Sequence, residues 1–151
     1  MIPCTDFIPA YSELFKYLHQ CGGKAEVRTF WEYLADHFLH NLKSLVEEKG
    51  IRGCWEYWQH TLNEEAADFN MELDEEKGLF RIRMYQCPSK GRLLACGHIA
   101  PYEAYCEHCD TLYRRVLEPL GYDYDIDLSD CDRAACTLTV RRREASGSAQ
   151  K

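Results

Sequence analysis

Tyr122-Asp123-Tyr124-Asp125-Ile126-Asp127-Leu128 and, after seven intervening residues, Cys136-Thr137-Leu138-Thr139-Val140-Arg141 alternate apolar with polar side chains at every step. A period of two places successive side chains on opposite faces, the pattern of a strand with one buried face. Two such stretches with a short polar connection read as neighbouring antiparallel strands. Their apolar faces carry Tyr122, Tyr124, Ile126 and Leu128 on the first and Cys136, Leu138 and Val140 on the second. The opposite faces set Asp123, Asp125 and Asp127 beside Thr137, Thr139 and Arg141.

The same pattern occurs upstream. Residues 70–74 and 79–85 alternate around Glu75-Glu76-Lys77-Gly78, which predicts a hairpin. Met71 and Leu73 share a face with Phe80, Ile82 and Met84, while Asn70, Glu72 and Asp74 share the other with Arg81 and Arg83. Acidic strands among basic ones invite cross-strand ion pairs. A solvated sheet face explains those charges better than a binding surface.

Helical periodicity fills the remainder. Phe7, Ile8, Tyr11, Leu14, Phe15 and Leu18 recur at spacings of three and four, and Gly22-Gly23 ends that stripe. A second helix is predicted over about 25–49, with Val27, Phe30, Trp31, Leu34, Phe38, Leu42 and Leu45 facing inward. A third is predicted over about 52–70, through Trp55, Trp58, Gln59, Leu62, Ala66 and Phe69. Between the hairpins come a short helix over about 89–95 and a longer one over about 101–117, opened by Pro101 and closed by Pro119 and Gly121. The order is ααα-ββ-αα-ββ: an α+β domain whose N-terminal helices pack on one face of an antiparallel sheet of about four strands. Residues 1–143 form one domain, and the Ser/Gly/Ala-rich residues 144–151 are expected to be disordered.

The 151 residues carry a net charge of −7, which disfavours nucleic acid and anionic membranes as partners. No apolar run is long enough to span a bilayer, and the first residues lack the pattern of a secretory signal. Nine cysteines are several times the usual share, and nine is odd. With no export signal, that composition points to a reducing, cytoplasmic setting with free thiols and no disulfides.

The chemistry is concentrated between Cys87-Pro88 and Asp110. That stretch holds Cys87, Cys96, His98, Cys106, His108, Cys109 and Asp110. Cys96 and His98 followed by Cys106 and Cys109 make two close-spaced pairs of soft donors, the set a tetrahedral zinc ion needs. If the final helix begins at Pro101, its phase turns Cys106 and Cys109 towards the core, brings Asp110 to the edge of that face, and sends His108 to solvent. The residues alone leave three readings open for Cys106 and Cys109: small core side chains, catalytic or substrate-contacting thiols, or metal ligands. His37 with His40, and His60, read as polar or boundary histidines. Cys4, Cys21 and Cys54 have no partner at a useful spacing.

The run Cys87-Pro88, a short helix, Cys106-Glu107-His108-Cys109-Asp110 and a closing strand Cys136-Thr137-Leu138-Thr139-Val140 resembles the L-2-amino-thiazoline-4-carboxylic acid hydrolase family. The element order also resembles the ligand-binding fold of 4-vinyl-reductase-like sensors and Golgi transport-complex subunits. The hydrolase resemblance implies opening of a C–N bond in a small sulfur- and nitrogen-containing ring. It also implies a pocket lined by Cys87, Cys106 or Cys109, and Asp110. In that reading Cys106 or Cys109 supplies the thiolate, His98 acts as base, Asp110 orients it or holds a water, and Cys87 contacts substrate. If a metal is bound, Cys96, His98, Cys106 and Cys109 hold it. The alternative on the same fold is a non-catalytic ligand- or zinc-binding sensor or assembly module. A small-molecule ligand is expected in either case, and homo-oligomerisation is left open. The pocket is expected between the helix face bearing Cys106, Cys109 and Asp110 and the loop bearing Cys87 and His98.

Overall fold

The computed structural model describes residues 4–63 and 67–144. Its elements are α1 (Cys4–His37), α2 (His40–Lys49), α3 (Ile51–Asn63), β1 (Asp68–Asp74), β2 (Leu79–Gln86), α4 (Pro88–Cys96), α5 (Glu107–Leu117), β3 (Tyr122–Asp127) and β4 (Cys136–Arg142). One-turn helices at Glu118–Leu120 and Cys131–Arg133 flank β3. The fold is α+β. The expected tail at 145–151 lies outside the described residues, as does Ala66.

All strand pairs are antiparallel and the sheet order is β1-β2-β4-β3. The two alternating stretches that open the sequence argument are indeed neighbours, with Tyr124 opposite Val140 and Ile126 opposite Leu138. The two hairpins join through β2 and β4, where Phe80 faces Val140 and Ile82 faces Leu138. These residues are buried, as are Met84, Tyr122 and Tyr124. Leu42, Val46, Ile51, Trp58, Leu112 and Leu117 cover them from the helical side. The outer face pairs Arg81 with Glu72 across β1 and β2 at 3.6 Å. In β3, Asp125 and Asp127 lie opposite Thr139 and Thr137 of β4, while Asp123 lies opposite Arg141 and accepts from Arg143 Nε at 2.6 Å.

A second, aromatic core sits beside the first. Phe15, Val27, Trp31, Leu93, Tyr102, Ala104 and Tyr105 are buried together. Phe15 and Trp31 are sixteen positions apart in sequence, which along a straight helix would separate them by about 24 Å. Their rings lie 5.3 Å apart. The chain folds back between them at Gly23, whose φ of +72° is a conformation glycine adopts without strain. The stretch labelled α1 is therefore a helical hairpin with arms 4–21 and 24–37, as the Gly22-Gly23 signal predicts.

Three boundaries differ from the sequence reading. The helix expected over 25–49 breaks at Phe38-Leu39, where Leu39 is buried and Phe38 is 76% exposed. The break resets the helical phase so that Leu42 and Val46 of α2 reach the core. The helix expected to run to residue 70 ends at Asn63, because Phe69 is paired with Met84 in the sheet. The helix expected from Pro101 starts at Glu107. Residues 103–106 instead form a turn, and just before it the Tyr102 N–H donates to the buried Ser12 hydroxyl at 2.8 Å.

Candidate functional site

Helix α4 begins against the sheet. Cys87 caps it, with Pro88 at the first helical position, and the Cys87 sulfur accepts the Lys90 N–H at 3.5 Å. The Cys87 N–H donates to the Ala134 carbonyl at 2.7 Å, tying α4 to the turn that precedes β4. Across from this junction lies the first turn of α5. Between them is a cavity of about 30 Å³ lined by Cys87, Ser89, Lys90, Cys106, His108, Cys109, Cys131 and Cys136, with Tyr105, Ala134 and Ala135. Five of the nine cysteines share one wall. The space suits a water molecule or two and nothing larger.

The cavity wall is apolar, and the thiols of Cys87, Cys106, Cys109 and Cys136 are neutral at rest. Burial pushes Cys109 up to about 12, helped by Asp110, and Cys106 up to about 12, helped by repulsion from Cys109. Burial does the same to Cys136, which also reaches about 12. Cys87 is raised by burial and by Cys109, opposed by the N–H groups of Lys90 and Ser89 and by the Lys90 charge. A thiol here reacts only if a neighbour takes its proton.

His108 is placed to do so. Its Nδ1 is hydrogen bonded to the Tyr105 carbonyl, and its Nε2 lies 3.5 Å from the Cys109 sulfur. A carbonyl only accepts, so Nδ1 carries the proton and Nε2 presents its lone pair to the Cys109 S–H. Burial holds His108 below the usual histidine range, which keeps that lone pair free. The ring is packed against Tyr105, Phe15, Tyr11 and Trp31 at centroid distances of 4.9, 6.0, 6.1 and 6.4 Å. The aromatic core thus fixes the imidazole from behind. The sequence reading sent His108 to solvent because it extended the helix back to Pro101. With α5 starting at Glu107, His108 lies in the first turn and folds back onto Tyr105.

The structure brings Cys87, Cys106 and Cys109 together as expected and leaves three other expected residues elsewhere. His98 is exposed, its Nδ1 is 2.7 Å from the Cys96 carbonyl, and the Cys96 sulfur is 3.6 Å from the same nitrogen. That pair forms its own local contact after Gly97 and does not line the cavity. Asp110 turns away to Arg114, accepting from Nη2 at 2.7 Å and Nε at 3.1 Å. The four-residue zinc set is therefore not assembled: among the described residues no three His, Cys, Asp or Glu side chains are grouped to hold a metal ion. Eight of the eleven cavity residues escaped the sequence reading of the site. Cys136 was legible, since it shares the inward face of β4 with Leu138 and Val140. Lys90 and Cys131 carried no signal, and His108 carried a misleading one.

Eight cysteines are described and each is a free thiol; the side chain of Cys4 lies outside the described set. Among the described residues no helix is long and apolar enough to cross a membrane. Fold and site together define an α+β domain with a thiol-lined cavity between α4, α5 and the end of the sheet. Comparison with family models, curated proteins and solved structures returned no match.

Proposed function

We propose that this protein is a small-molecule hydrolase of the L-2-amino-thiazoline-4-carboxylate type, with Cys109 as nucleophile and His108 as its base. The observation that carries the reading is the alignment of the Tyr105 carbonyl, the His108 imidazole and the Cys109 thiol at the cavity wall. It is the arrangement of an activated nucleophile: a base in reach of the thiol, and a third group that fixes the base's tautomer. The cysteines that support the family resemblance, Cys87, Cys106, Cys109 and Cys136, all line the same cavity.

The chemistry follows from the groups. Nε2 takes the Cys109 proton as sulfur adds to the amidine carbon between the ring's sulfur and nitrogen. The C–N bond then breaks, and the ring nitrogen leaves with the proton returned by His108. Water, deprotonated by the same Nε2, adds to that carbon, and departure of the Cys109 sulfur with a proton restores the thiol. The apolar wall favours this sequence, because a neutral thiol–imidazole pair costs little to bury and becomes charged only as the substrate is attacked. A five-membered ring exceeds the 30 Å³ at rest, so binding must part the wall.

Ring opening of 2-amino-thiazoline-4-carboxylate, followed by proton NMR with the purified chain, tests the reading. Turnover by the wild type that is lost in Cys109→Ser and in His108→Asn is the expected result. Absence of turnover, or full turnover by Cys109→Ser, overturns it.

A further inference from the structure

Cys106 and Cys109 lie three residues apart across the first turn of α5, where the Cys109 N–H donates to the Cys106 carbonyl at 3.3 Å. Both line the thiol cavity. Side chains at that spacing on a helix hold their Cβ atoms about 5–6 Å apart. A disulfide needs about 3.5–4.5 Å, so a shift of about 1–2 Å joins the two sulfurs. Cys106 is the side able to supply it, because it precedes the helix and follows a turn. The two thiols are not equivalent. The His108 Nε2 lone pair stands 3.5 Å from the Cys109 sulfur, so Cys109 is the one with a base at hand. The cavity beside them holds about 30 Å³. Hydrogen peroxide, uncharged and with only two heavy atoms, is an oxidant of that size; alkyl hydroperoxides and organic disulfides are not.

We propose that Cys106 and Cys109 are a dithiol oxidised by hydrogen peroxide, in which Cys109 reacts first and Cys106 closes on it as a disulfide. Nε2 of His108 takes the Cys109 proton as the sulfur attacks one peroxide oxygen. The O–O bond breaks, and the departing oxygen leaves as water with the proton that His108 returns. Cys109 is then a sulfenic acid. The Cys106 sulfur displaces its hydroxyl, the S–S bond forms, and the Cys106 proton leaves with that hydroxyl as a second water. Two thiols are oxidised to one disulfide and one peroxide is reduced to two waters. A dithiol reductant reverses the change. The site shares Cys109 and His108 with the hydrolase reading but does not rest on it; where that reading holds, closing the disulfide silences the nucleophile.

Treating the reduced, native full-length chain with one equivalent of hydrogen peroxide tests this. Thiols are then blocked in denaturant, counted, and mapped by fragmentation mass spectrometry. The count should fall from nine to seven, with the disulfide between Cys106 and Cys109, and a dithiol reductant should restore nine. Exposed Cys21 reports an ordinary surface thiol, since it does not line the cavity. tert-Butyl hydroperoxide, too large for the cavity, should oxidise Cys21 in preference to the pair. In Cys106→Ala the sulfenic acid should persist on Cys109, where dimedone traps it. His108→Asn should slow oxidation of Cys109 by about a hundredfold, the lower end for a positioned base. Urea unfolding verifies that both variants are folded. A pair that stays reduced while Cys21 is oxidised, a disulfide to any other cysteine, or equal reaction of the pair with both peroxides would overturn the proposal. So would an unchanged rate in His108→Asn. The two readings fail separately. Disulfide formation without thiazoline turnover removes only the hydrolase. Thiazoline turnover by a chain whose pair stays reduced under peroxide removes only the dithiol.

Discussion

Acidification through the ordinary histidine range should weaken this fold through one residue, His108. In the native state its Nδ1–H is committed to the Tyr105 carbonyl and its Nε2 faces a neutral thiol. Aromatic rings of Tyr11, Phe15, Trp31 and Tyr105 surround it, and burial lowers its pKa. A protonated Nε2 would meet no anion there. In the unfolded chain the same side chain takes up a proton near pH 6.5, about the free-histidine value. The unfolded state therefore binds more protons below that point, and stability falls as pH falls, up to about 1.4 kcal/mol per pH unit for one proton. Between about pH 7.5 and about pH 5.5 the loss from this residue has a ceiling of about 1.4 kcal/mol, most of it below 6.5. Urea unfolding of the wild type and of His108→Asn across that range isolates the effect, because every other titrating group is common to both proteins. Asn keeps a donor for the Tyr105 carbonyl. The wild type's advantage over the variant should shrink with acidification, up to that ceiling. An advantage that stays constant, or grows in acid, would mean that the imidazolium is stabilised in the fold. Nε2 could then not serve as the base for Cys109.

Other outcomes follow from the same contacts. Cys109→Ser should abolish turnover while costing about 1–2 kcal/mol for burying a hydroxyl, whereas Cys21→Ser at an exposed position should change neither; activity assays with urea unfolding check both. Phe15→Ala empties the centre of the aromatic core and should cost about 3–5 kcal/mol, with His108 losing one of its supports, as read by thermal unfolding and by the chemical shift of the ring. Gly53→Ala should destabilise despite alanine's better helix propensity, because the added carbon would lie 2.2 Å from the Leu45 carbonyl oxygen where α3 crosses α2; a wild-type unfolding midpoint would refute that close approach. Thiol titration of freshly denatured, unreduced protein should count close to nine, and a count well below that would refute the free-thiol reading.

The sheet was legible because its information is local. Tyr124 and Val140 had only to alternate with their neighbours to disclose both strand and buried face, and their pairing across β3 and β4 follows from a short connection. Helix existence was legible for the same reason, and Gly22-Gly23 marked the hairpin turn. Helix ends were not. Phe69 is as apolar as the helical stripe it was joined to, and only its partner Met84, fifteen positions away, claims it for the sheet. Pro101 is a good helix opener by itself. In the structure the helix starts at Glu107, and the Tyr102 N–H is held by the Ser12 hydroxyl on the first arm of α1. Contacts between residues so far apart in the chain leave no trace in the spacing of residues.

That single displaced helix start governs how the site is understood. A helix begun at Pro101 puts Cys106 and Cys109 one turn apart on a core-facing stripe and discards His108. Begun at Glu107, it makes Cys106 the residue before the first turn and lets the His108 ring drop onto Tyr105. The imidazole then reaches Cys109 from the adjacent position, a contact that helical spacing does not anticipate. The thiols were found by composition, since a rare residue at high density points to itself. The base was hidden because its role depends on where Ser12 holds Tyr102, ninety residues away. Replacing Ser12 by alanine would separate these effects. The buried Tyr102 N–H would lose its acceptor at a cost of about 1–3 kcal/mol. If the turn at 103–106 is what poises His108, the loss should appear in kcat as well as in stability. A Ser12→Ala protein that is less stable but turns over at the wild-type rate would show that the aromatic packing alone holds the imidazole in place.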